Sequence, residues 1–505
     1  MTQAGAPSGA NVGEAVIAPP GLGPRPKVGV PTKLLYGFGS VAFGVKDNGF
    51  RVFLVFYYNQ VVGLPVMWVT VALAIALAVD SFVDPVVGQM SDYWKSKWGR
   101  RHPFLYASAI PAALSFLLLW NPPFGMSQPW QLAWLVGTAI IVRTFITCFE
   151  IPSSAMTAEL TEDYDERTKI IGYRVLMAWW GGLTLNVFAL LVLMRPTEGF
   201  KDGRLNPDSY GPYGWIAAGL IFTSIMLSAI GTHRFIPWMP KGPTTRPPGL
   251  IQLFKQMAGT LKNKAFLTVA GAALFAAAAE GVGFSIYIYL VTYFWKLTAM
   301  QMGILITDAY FGSLVAFFFA PFISKGRNKK GAAMVTLVLT VLLSALPILL
   351  RLGGLFPPEG SPWVIPALYG IAIVRGALGI TCSILIVAMI ADVVEDSQVQ
   401  TGRRSEGLFF AAVSFISKSV SGVGAIITGL ILTLIHFPVG QPASQVPRAT
   451  INALGLAYIP TLFLLYGAAL FCLSFYRITR ESHAANLATI AAMARAEEEA
   501  MPPPL

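Results

Sequence analysis

The sequence is poor in charged residues. Asp, Glu, Lys and Arg make up 12% of its 505 residues, about half of their usual share in soluble domains. In contrast, 55% of the residues are hydrophobic and the mean hydropathy is +0.62. This composition excludes a soluble globular protein and is typical of a chain that crosses a membrane many times.

Cysteine and histidine are also scarce. Cys148, Cys382 and Cys472 all lie in apolar segments, so they predict neither a disulfide framework nor a metal site. The four histidines have no carboxylate or cysteine at the spacing of a metal site or a catalytic triad. The sequence also has no phosphate-binding glycine loop. We therefore expect neither an enzyme nor a cofactor.

Apolar segments long enough to cross a bilayer as helices recur along most of the chain. They predict an all-α membrane protein with twelve transmembrane helices, at 34–62, 66–91, 103–120, 129–160, 168–195, 213–235, 264–295, 300–323, 332–351, 363–394, 405–435 and 451–476. Little of the chain remains for a catalytic or nucleic-acid-binding domain. We expect a multi-pass protein of the plasma (inner) membrane with no nucleic-acid partner.

Basic residues are concentrated in alternate loops. The segment 95–101 after the second span contains four Lys or Arg residues, and further basic residues follow spans four, eight and ten. The segments 59–65 and 121–129, on the opposite side, contain none. The positive-inside rule places the basic loops, and with them both termini, in the cytoplasm. Topology therefore accounts for the net charge of +11.

The two halves of the chain are similar to each other. Val142-Arg143 precedes Ala155-Met156 in span four, and Val374-Arg375 precedes Ala388-Met389 in span ten. This internal echo predicts two parallel six-helix repeats with a binding site between them, as in many transporters. The predicted units are a disordered cytoplasmic tail at 1–32, six-helix bundles at 33–235 and 264–478, a cytoplasmic linker at 236–263 and a cytoplasmic C-terminal tail at 479–505.

Several ionisable residues fall within the predicted spans, where each costs a few kcal/mol unless it faces a cavity or a partner. Asp80 and Asp84 are four residues apart, so both carboxylates lie on one face of the second span. Two adjacent carboxylates need a cation: either Na⁺ binds between them or one of them holds a proton. The alternative is that both line a wet rim near the cytoplasm.

Other charges within the spans have less defined roles. Arg51 follows Asp47 by four residues, and its simplest role is to neutralise that carboxylate. Glu280, Asp308 and Arg375 either form structural ion pairs that hold helices together or belong to a binding site. The residues alone leave both interpretations open.

Two motifs carry a family resemblance. The segment 80–88 (DSFVDPVVG), followed by the basic segment 97–101 (KWGRR), resembles the glycoside–pentoside–hexuronide:cation symporter family of the major facilitator superfamily. The segments 33–39 and 150–152 are similar to that family as well. The resemblance implies the major facilitator superfamily fold, with twelve transmembrane helices in two six-helix bundles, both termini cytoplasmic and the substrate site between the bundles.

The resemblance also implies two groups of site residues. The cation-coupling group comprises Asp80, Asp84, Thr147 and Arg143. The substrate-binding group comprises Asp47, Glu150, Arg174 and Lys418. In the second group the two carboxylates bind sugar hydroxyls, and the guanidinium of Arg174 positions these carboxylates. Lys418, from the other half of the chain, is a charge partner for the carboxylates of the cation site.

Three residues depart from the family pattern near these sites. Val83 stands where a well-known member has asparagine, Arg143 where it has a small residue, and Ser154 where it has a sugar-stacking tryptophan. A Na⁺ site that needs about six oxygen ligands is weakened by the first two changes. The sequence therefore favours H⁺ over Na⁺ as the coupling ion, or no coupling ion, with Na⁺ at Asp80 and Asp84 as the alternative.

Gly88, Asp92, Arg100 and Arg101 resemble the superfamily's loop between spans two and three. Their basic end can pair with acidic residues in the segment 159–166 and hold a cytoplasmic gate shut. The alternative is that these arginines serve only to set the topology.

The resulting prediction is a sugar or glycoside:cation symporter that works by alternating access, as a monomer in the lipid bilayer. One alternative is an anionic sugar such as a hexuronide, since arginines are frequent within the spans. Another is an amphiphile, because Thr147-Cys148-Phe149 followed by a proline is similar to animal lysolipid transporters. A non-transporting membrane receptor would leave the buried charges without a role.

Overall fold

The computed structural model describes residues 26–123, 125–161, 163–240, 249, 251–252, 255, 259–260, 263–324, 328–401, 406–479, 481–486, 488–490 and 492. The predicted N-terminal tail up to residue 25, most of the linker at 236–263 and the end of the C-terminal tail lie outside this part of the chain.

Helices form the regular structure of the described residues, among which there is no β-strand. In chain order they are α1 Val30–Phe38, α2 Ser40–Gly49, α3 Val66–Tyr93, α4 His102–Trp120, α5 Gln128–Leu160, α6 Tyr164–Phe188, α7 Tyr210–His233, α8 Lys264–Tyr289, α9 Ala299–Leu305, α10 Asp308–Ser324, α11 Lys329–Leu352, α12 Val364–Thr401, α13 Glu406–Leu434 and α14 Arg448–Ser474. The all-α prediction is confirmed.

Within the described residues, eleven helical segments are long and apolar enough to cross a membrane. A multi-pass integral membrane protein is therefore confirmed. The predicted span at 34–62 corresponds to α1 and α2, which continue into π-helical turns at Phe50–Leu54 and Tyr57–Val61. A twelfth crossing and the side on which the termini lie remain predictions.

Several helix boundaries differ from those predicted. Helix α1 begins at Val30, inside the predicted tail at 1–32, with Pro31 in its first turn, where proline's fixed φ suits a helix start. The predicted span at 300–323 is divided between α9 and α10, because the helix ends at Leu305 and a new one begins at Asp308. Helix α12 continues to Thr401, beyond the predicted end at residue 394.

Two close helix crossings depend on glycine. Helices α2 and α6 cross where Gly44 faces Gly182, and a Cβ on Gly44 would lie 1.8 Å from a backbone oxygen of α6. Helices α8 and α13 cross where Gly281 faces Gly424, and a Cβ on Gly424 would lie 2.3 Å from a backbone oxygen of α8. Small residues permit such approach of transmembrane helices. The same device thus occurs in each half of the chain, which supports the proposed internal repeat.

The end of the molecule away from the basic loops is held closed by hydrogen bonds between the two halves. Tyr289 Oη donates to Asn59 Oδ1 at 2.8 Å, and Tyr293 Oη donates to Gln60 Oε1 at 3.0 Å. The backbone N–H of Gly440 also donates to Gln60 Oε1, at 2.9 Å. Because Asn59 and Gln60 are buried, these bonds are shielded from water.

Arg204 adds a second link at the same end. Its side chain is 1% exposed and is paired with Asp202 at 2.7 Å. Its Nη2 also donates to the backbone oxygen of Leu297, in the second half, at 2.5 Å. These contacts also join the two halves at this end.

Candidate functional site

A cavity of about 210 Å³ lies between the two halves of the chain. Its charged lining consists of Asp47, Arg51, Arg143, Glu280 and Lys418. The rest of the lining is formed by Phe50, Leu73, Leu77, Ala277, Gly281, Phe284, Ser285, Ser417, Ser421 and Ala425. Charged, hydroxyl and apolar groups therefore surround one small space.

The predicted cation-coupling residues form one network beside this cavity. Arg143 Nη1 donates to Asp80 Oδ2 at 3.0 Å. Thr147 Oγ1 lies 3.0 Å from Asp80 Oδ1 and 3.1 Å from Asp84 Oδ1, within hydrogen-bonding distance of both. Lys418 Nζ pairs with Asp84 and lies 3.6 Å from Asp80 Oδ2. Two carboxylates thus face two cations of the protein.

Helix geometry explains how the network is assembled. Asp80 and Asp84 are one turn apart on α3, and Arg143 and Thr147 are one turn apart on α5. The two helices therefore present two polar side chains each at the same depth. Lys418 comes from α13 in the other half. Arg143 and Asp80 are 5% and 3% exposed, so their attraction is little screened by water.

Helix α13 makes further contacts with α3 near Lys418. Ser419 Oγ lies 3.1 Å from Ser81 Oγ, and the rings of Phe82 and Phe415 meet edge to face with 5.3 Å between their centres. The ion pair between Lys418 and Asp84 is therefore part of a larger interface between the halves.

Asp47 is neutralised by its own neighbours, as the spacing predicts. Arg51 Nε lies 2.7 Å from Asp47 Oδ2, and Lys46 Nζ lies 4.0 Å from Asp47 Oδ1. The guanidinium of Arg51 also lies over the ring of Phe284 on α8, 4.4 Å from its centre. This cation–π contact joins the two halves across the cavity.

The other two predicted substrate-binding residues pair with each other instead of lining this cavity. Arg174 Nη2 donates to Glu150 Oε1 at 2.7 Å, and Arg174 Nε donates to Ser40 Oγ at 3.2 Å. Glu150 Oε2 is buried and has no hydrogen-bond partner among the described residues. One carboxylate oxygen therefore stays available as an acceptor. The substrate-binding role of both residues remains a prediction.

The predicted gating residues form a compact network at the end of the molecule that carries the basic loops. Arg100 Nη2 and Arg101 Nε donate to Glu159 Oε1 at 2.7 and 3.0 Å, and Arg101 Nη2 lies 2.5 Å from Asp92 Oδ1. A Cβ on Gly88 would lie 3.5 Å from a side chain of α5, so this residue lies at the α3–α5 contact. The expected pairing with the 159–166 segment is present, within the first half of the chain. Gating itself remains a prediction.

The sequence alone did not assign a function to one charged residue of the cavity, Glu280. Glu280 was expected in either an ion pair or a binding site, and the structure places it in the cavity wall. A signal for this was present, because Ala277, Glu280, Gly281 and Phe284 share one face of α8. What that face contacts depends on helices remote in sequence.

Comparison with known proteins identifies the family. The chain matches the MFS/sugar transport protein family over residues 35–480. The chain belongs to this family. This confirms the resemblance to the cation symporters and the major facilitator superfamily fold. It also confirms the prediction of a transporter rather than an enzyme.

Curated relatives of this family member cover nearly the whole chain. An uncharacterized symporter of Synechocystis is 26% identical over an alignment of 538 positions that covers 90% of this chain and 96% of the relative. The isoprimeverose transporter of Lactiplantibacillus pentosus is 24% identical, with 88% of each chain covered. Among solved structures, a bacterial homologue of the human drug peptide transporters PepT1 and PepT2 has a TM-score of 0.60 at 13% identity, and covers 92% of this chain and 99% of its own. The structural likeness concerns the fold alone.

Proposed function

We propose that the protein is a secondary active transporter of a sugar or glycoside coupled to a cation, with H⁺ favoured over Na⁺. The observation that carries the proposal is the network around Asp80 and Asp84, in which Arg143 and Lys418 supply positive charge beside the two carboxylates. Sugar as substrate is supported by the family and by the relative named an isoprimeverose transporter.

A proton can act on this network without a vacant metal site. While one carboxylate remains ionised against Arg143, protonation of Asp84 removes the negative charge that attracts Lys418. The ion pair between the two halves then weakens, and the halves can move apart. Na⁺ would instead have to compete with two cations that are already part of the protein. Coupling by H⁺ follows from this difference.

The cavity favours a small polar substrate over an amphiphile. Its volume of about 210 Å³ is below the roughly 300–1,000 Å³ typical of sites for drug-sized ligands. Five charged residues and three serines interrupt its apolar lining, whereas a lipid carrier needs a continuous apolar sleeve for an acyl chain. A monosaccharide or a small glycoside fits this chemistry better than a lysolipid does.

Transport by alternating access assigns a role to each group. Two bundles at 33–235 and 264–478, joined by the linker at 236–263, move relative to each other in a monomer. Asp47 and Lys418 bind substrate from the cavity, and Glu150 with Arg174 extends the substrate site in another conformation. The contacts of Asn59 and Gln60 with the second half open and close one end.

Uptake into proteoliposomes tests the proposal. Purified protein is supplied with radiolabelled glucose, galactose, xylose, isoprimeverose and lysophosphatidylcholine, under an inward H⁺ gradient, an inward Na⁺ gradient or none. We expect accumulation of at least one sugar that requires the H⁺ gradient and is unaffected by Na⁺. Accumulation driven by Na⁺ alone would overturn the preference for H⁺. Transport of the lysolipid and of none of the sugars would overturn the substrate class.

A further inference from the structure

Glu280 differs from the other charged residues of the cavity because no described residue lies within hydrogen-bonding or ion-pair distance of its carboxylate, although the charge of Arg51 acts on it across the cavity. Its side chain lines the cavity from α8, and it makes no hydrogen bond or ion pair with any described residue. It is also accessible from the cavity, since its side chain is exposed. An accessible carboxylate inside a membrane protein, without a structural partner, is by default a functional group.

The cations around the cavity are, in contrast, all paired with other carboxylates. Arg51 is paired with Asp47 at 2.7 Å and Arg143 with Asp80 at 3.0 Å. Lys418 is paired with Asp84, and Lys46 lies 4.0 Å from Asp47. Among the described residues of the cavity wall, an anionic substrate would therefore find no unpaired cation, and it would meet the carboxylate of Glu280.

We propose that Glu280 determines specificity for neutral sugars: its carboxylate accepts hydrogen bonds from sugar hydroxyls and repels sugars that carry a carboxylate. This inference rests on the proposed function. Hydrogen bonds to an ionised acceptor are about twice as strong as neutral ones, so adjacent hydroxyls on one sugar ring suit this group. The carboxylate of an acidic sugar at the same place gains no compensating cation, and the negative charge of Glu280 excludes it by like-charge repulsion.

The surroundings of Glu280 fit a sugar ring. Phe284 lies one turn further along α8, and Arg51 covers one face of its ring at 4.4 Å. Ser417 and Ser421 of α13 and Ser285 of α8 add hydroxyl groups to the same lining. Hydroxyl groups both donate and accept, so they can satisfy the sugar hydroxyls that Glu280 does not bind. Anionic sugars, which the sequence alone left open, are disfavoured by this arrangement.

Matched sugar pairs test the inference. Glucose and glucuronate, and galactose and galacturonate, differ only in whether carbon 6 carries a hydroxyl or a carboxylate. Initial uptake of each is measured in proteoliposomes for the wild-type protein and for Glu280→Gln, Glu280→Asp and Glu280→Ala. The control is Glu198→Gln, which removes a negative charge from an exposed loop residue outside the cavity.

For the wild-type protein we expect the neutral member of at least one pair to be preferred by about tenfold or more. Glu280→Gln keeps the shape and removes the charge, so the preference should fall by about tenfold. Glu280→Asp should keep the preference at a lower rate, Glu280→Ala should lose uptake of the neutral sugar, and Glu198→Gln should behave as wild type.

Two results overturn the inference while the proposed function stands: a wild-type preference for the uronate, or an unchanged preference in Glu280→Gln that transports sugar normally. The preference is a ratio within one sample, so a lower yield of folded variant does not alter it. Failure of the wild-type protein to transport any of these sugars or isoprimeverose would instead overturn the proposed function, and the inference with it.

Discussion

Lys418 of α13 forms an ion pair with Asp84 of α3, although 334 residues separate them in the chain. Asp84 belongs to the carboxylate pair that a family resemblance associates with a coupling cation. Lys418 therefore links this carboxylate pair to the second half of the protein. Any event that changes the charge of Asp84 changes the attraction between the halves, which is the physical requirement for coupling an ion to a conformational change.

Replacement of Arg143 by glycine should introduce a dependence on Na⁺. Arg143 is buried and supplies one of the two positive charges beside Asp80 and Asp84. Loss of one partner of a buried ion pair costs about 3–5 kcal/mol, and a metal cation in the vacated space would recover part of it. We expect Arg143→Gly to transport slowly without Na⁺ and faster with it, measured as initial uptake in proteoliposomes across Na⁺ concentrations.

The matched control for this prediction is Arg195→Gly. Arg195 is an exposed residue in the loop after α6, so its loss removes a guanidinium without touching the network. It should show wild-type uptake with no response to Na⁺. If Arg143→Gly also ignores Na⁺ while it still transports, the guanidinium does not stand in for a metal cation.

Replacement of Arg101 by alanine should slow transport by about tenfold or more and leave substrate affinity within a few-fold. Arg101 is 4% exposed and connects Glu159 and Asp92 at the basic end, remote from the cavity lining. Loss of these contacts changes the equilibrium between conformations rather than the binding site. The measurements are the maximal rate and the half-saturating substrate concentration, with exposed Lys97→Ala in the same loop as control. An unchanged rate would mean that Arg101 serves topology only.

Replacement of Gly44 by alanine should destabilise the protein. A methyl group there would lie 1.8 Å from a backbone oxygen of α6, so the two helices must separate. Overpacking of this kind costs about 1–3 kcal/mol. Gly172→Ala is the control, because a Cβ at that position on α6 meets nothing within 4 Å. Thermal unfolding in detergent should show a lower midpoint for Gly44→Ala only; equal midpoints would contradict the close crossing.

Glu359 should make a small contribution to stability that is lost in acid. It accepts from Lys296 Nζ at 2.9 Å and from Arg351 Nη2 at 2.7 Å in the loop between α11 and α12. The hydrogen bond from Lys296, with the charges of Lys296 and Arg351, holds the pKa of Glu359 below its usual value. A lowered pKa in the folded state means that the contribution is complete above the unfolded pKa of about 4.3 and is lost as the pH falls from there through the lower pKa of the folded state.

The test compares the unfolding midpoint of wild type and Glu359→Gln at neutral pH and near pH 3. The difference should be largest at neutral pH and smaller near pH 3. Because the side chain is 47% exposed, we expect no more than about 1 kcal/mol. Glu198→Gln, at an exposed position, should show no such pH-dependent difference. A gap that widens in acid would contradict the sign of the pKa shift.

Much of the helical structure could be predicted from the sequence. The segment predicted at 66–91 is Val66–Tyr93, and that predicted at 129–160 is Gln128–Leu160. These agreements are close because the hydropathy of a transmembrane helix is a local property of about 20 residues. The division between α9 and α10 was not predicted, because neither proline nor glycine lies between Leu305 and Asp308 to indicate a break.

The sequence alone determined only the relations within single helices of the candidate site. Helical periodicity was enough to place Asp80 and Asp84 on one face of α3, and Asp47 beside Arg51, because a spacing of four residues is geometry within a single helix. Lys418 as the partner of Asp84, the separation of Glu150 and Arg174 from the cavity, and the unpaired carboxylate of Glu280 were decided by the tertiary structure alone. Those relations depend on which faces of helices meet, and the faces meet through packing between residues hundreds of positions apart.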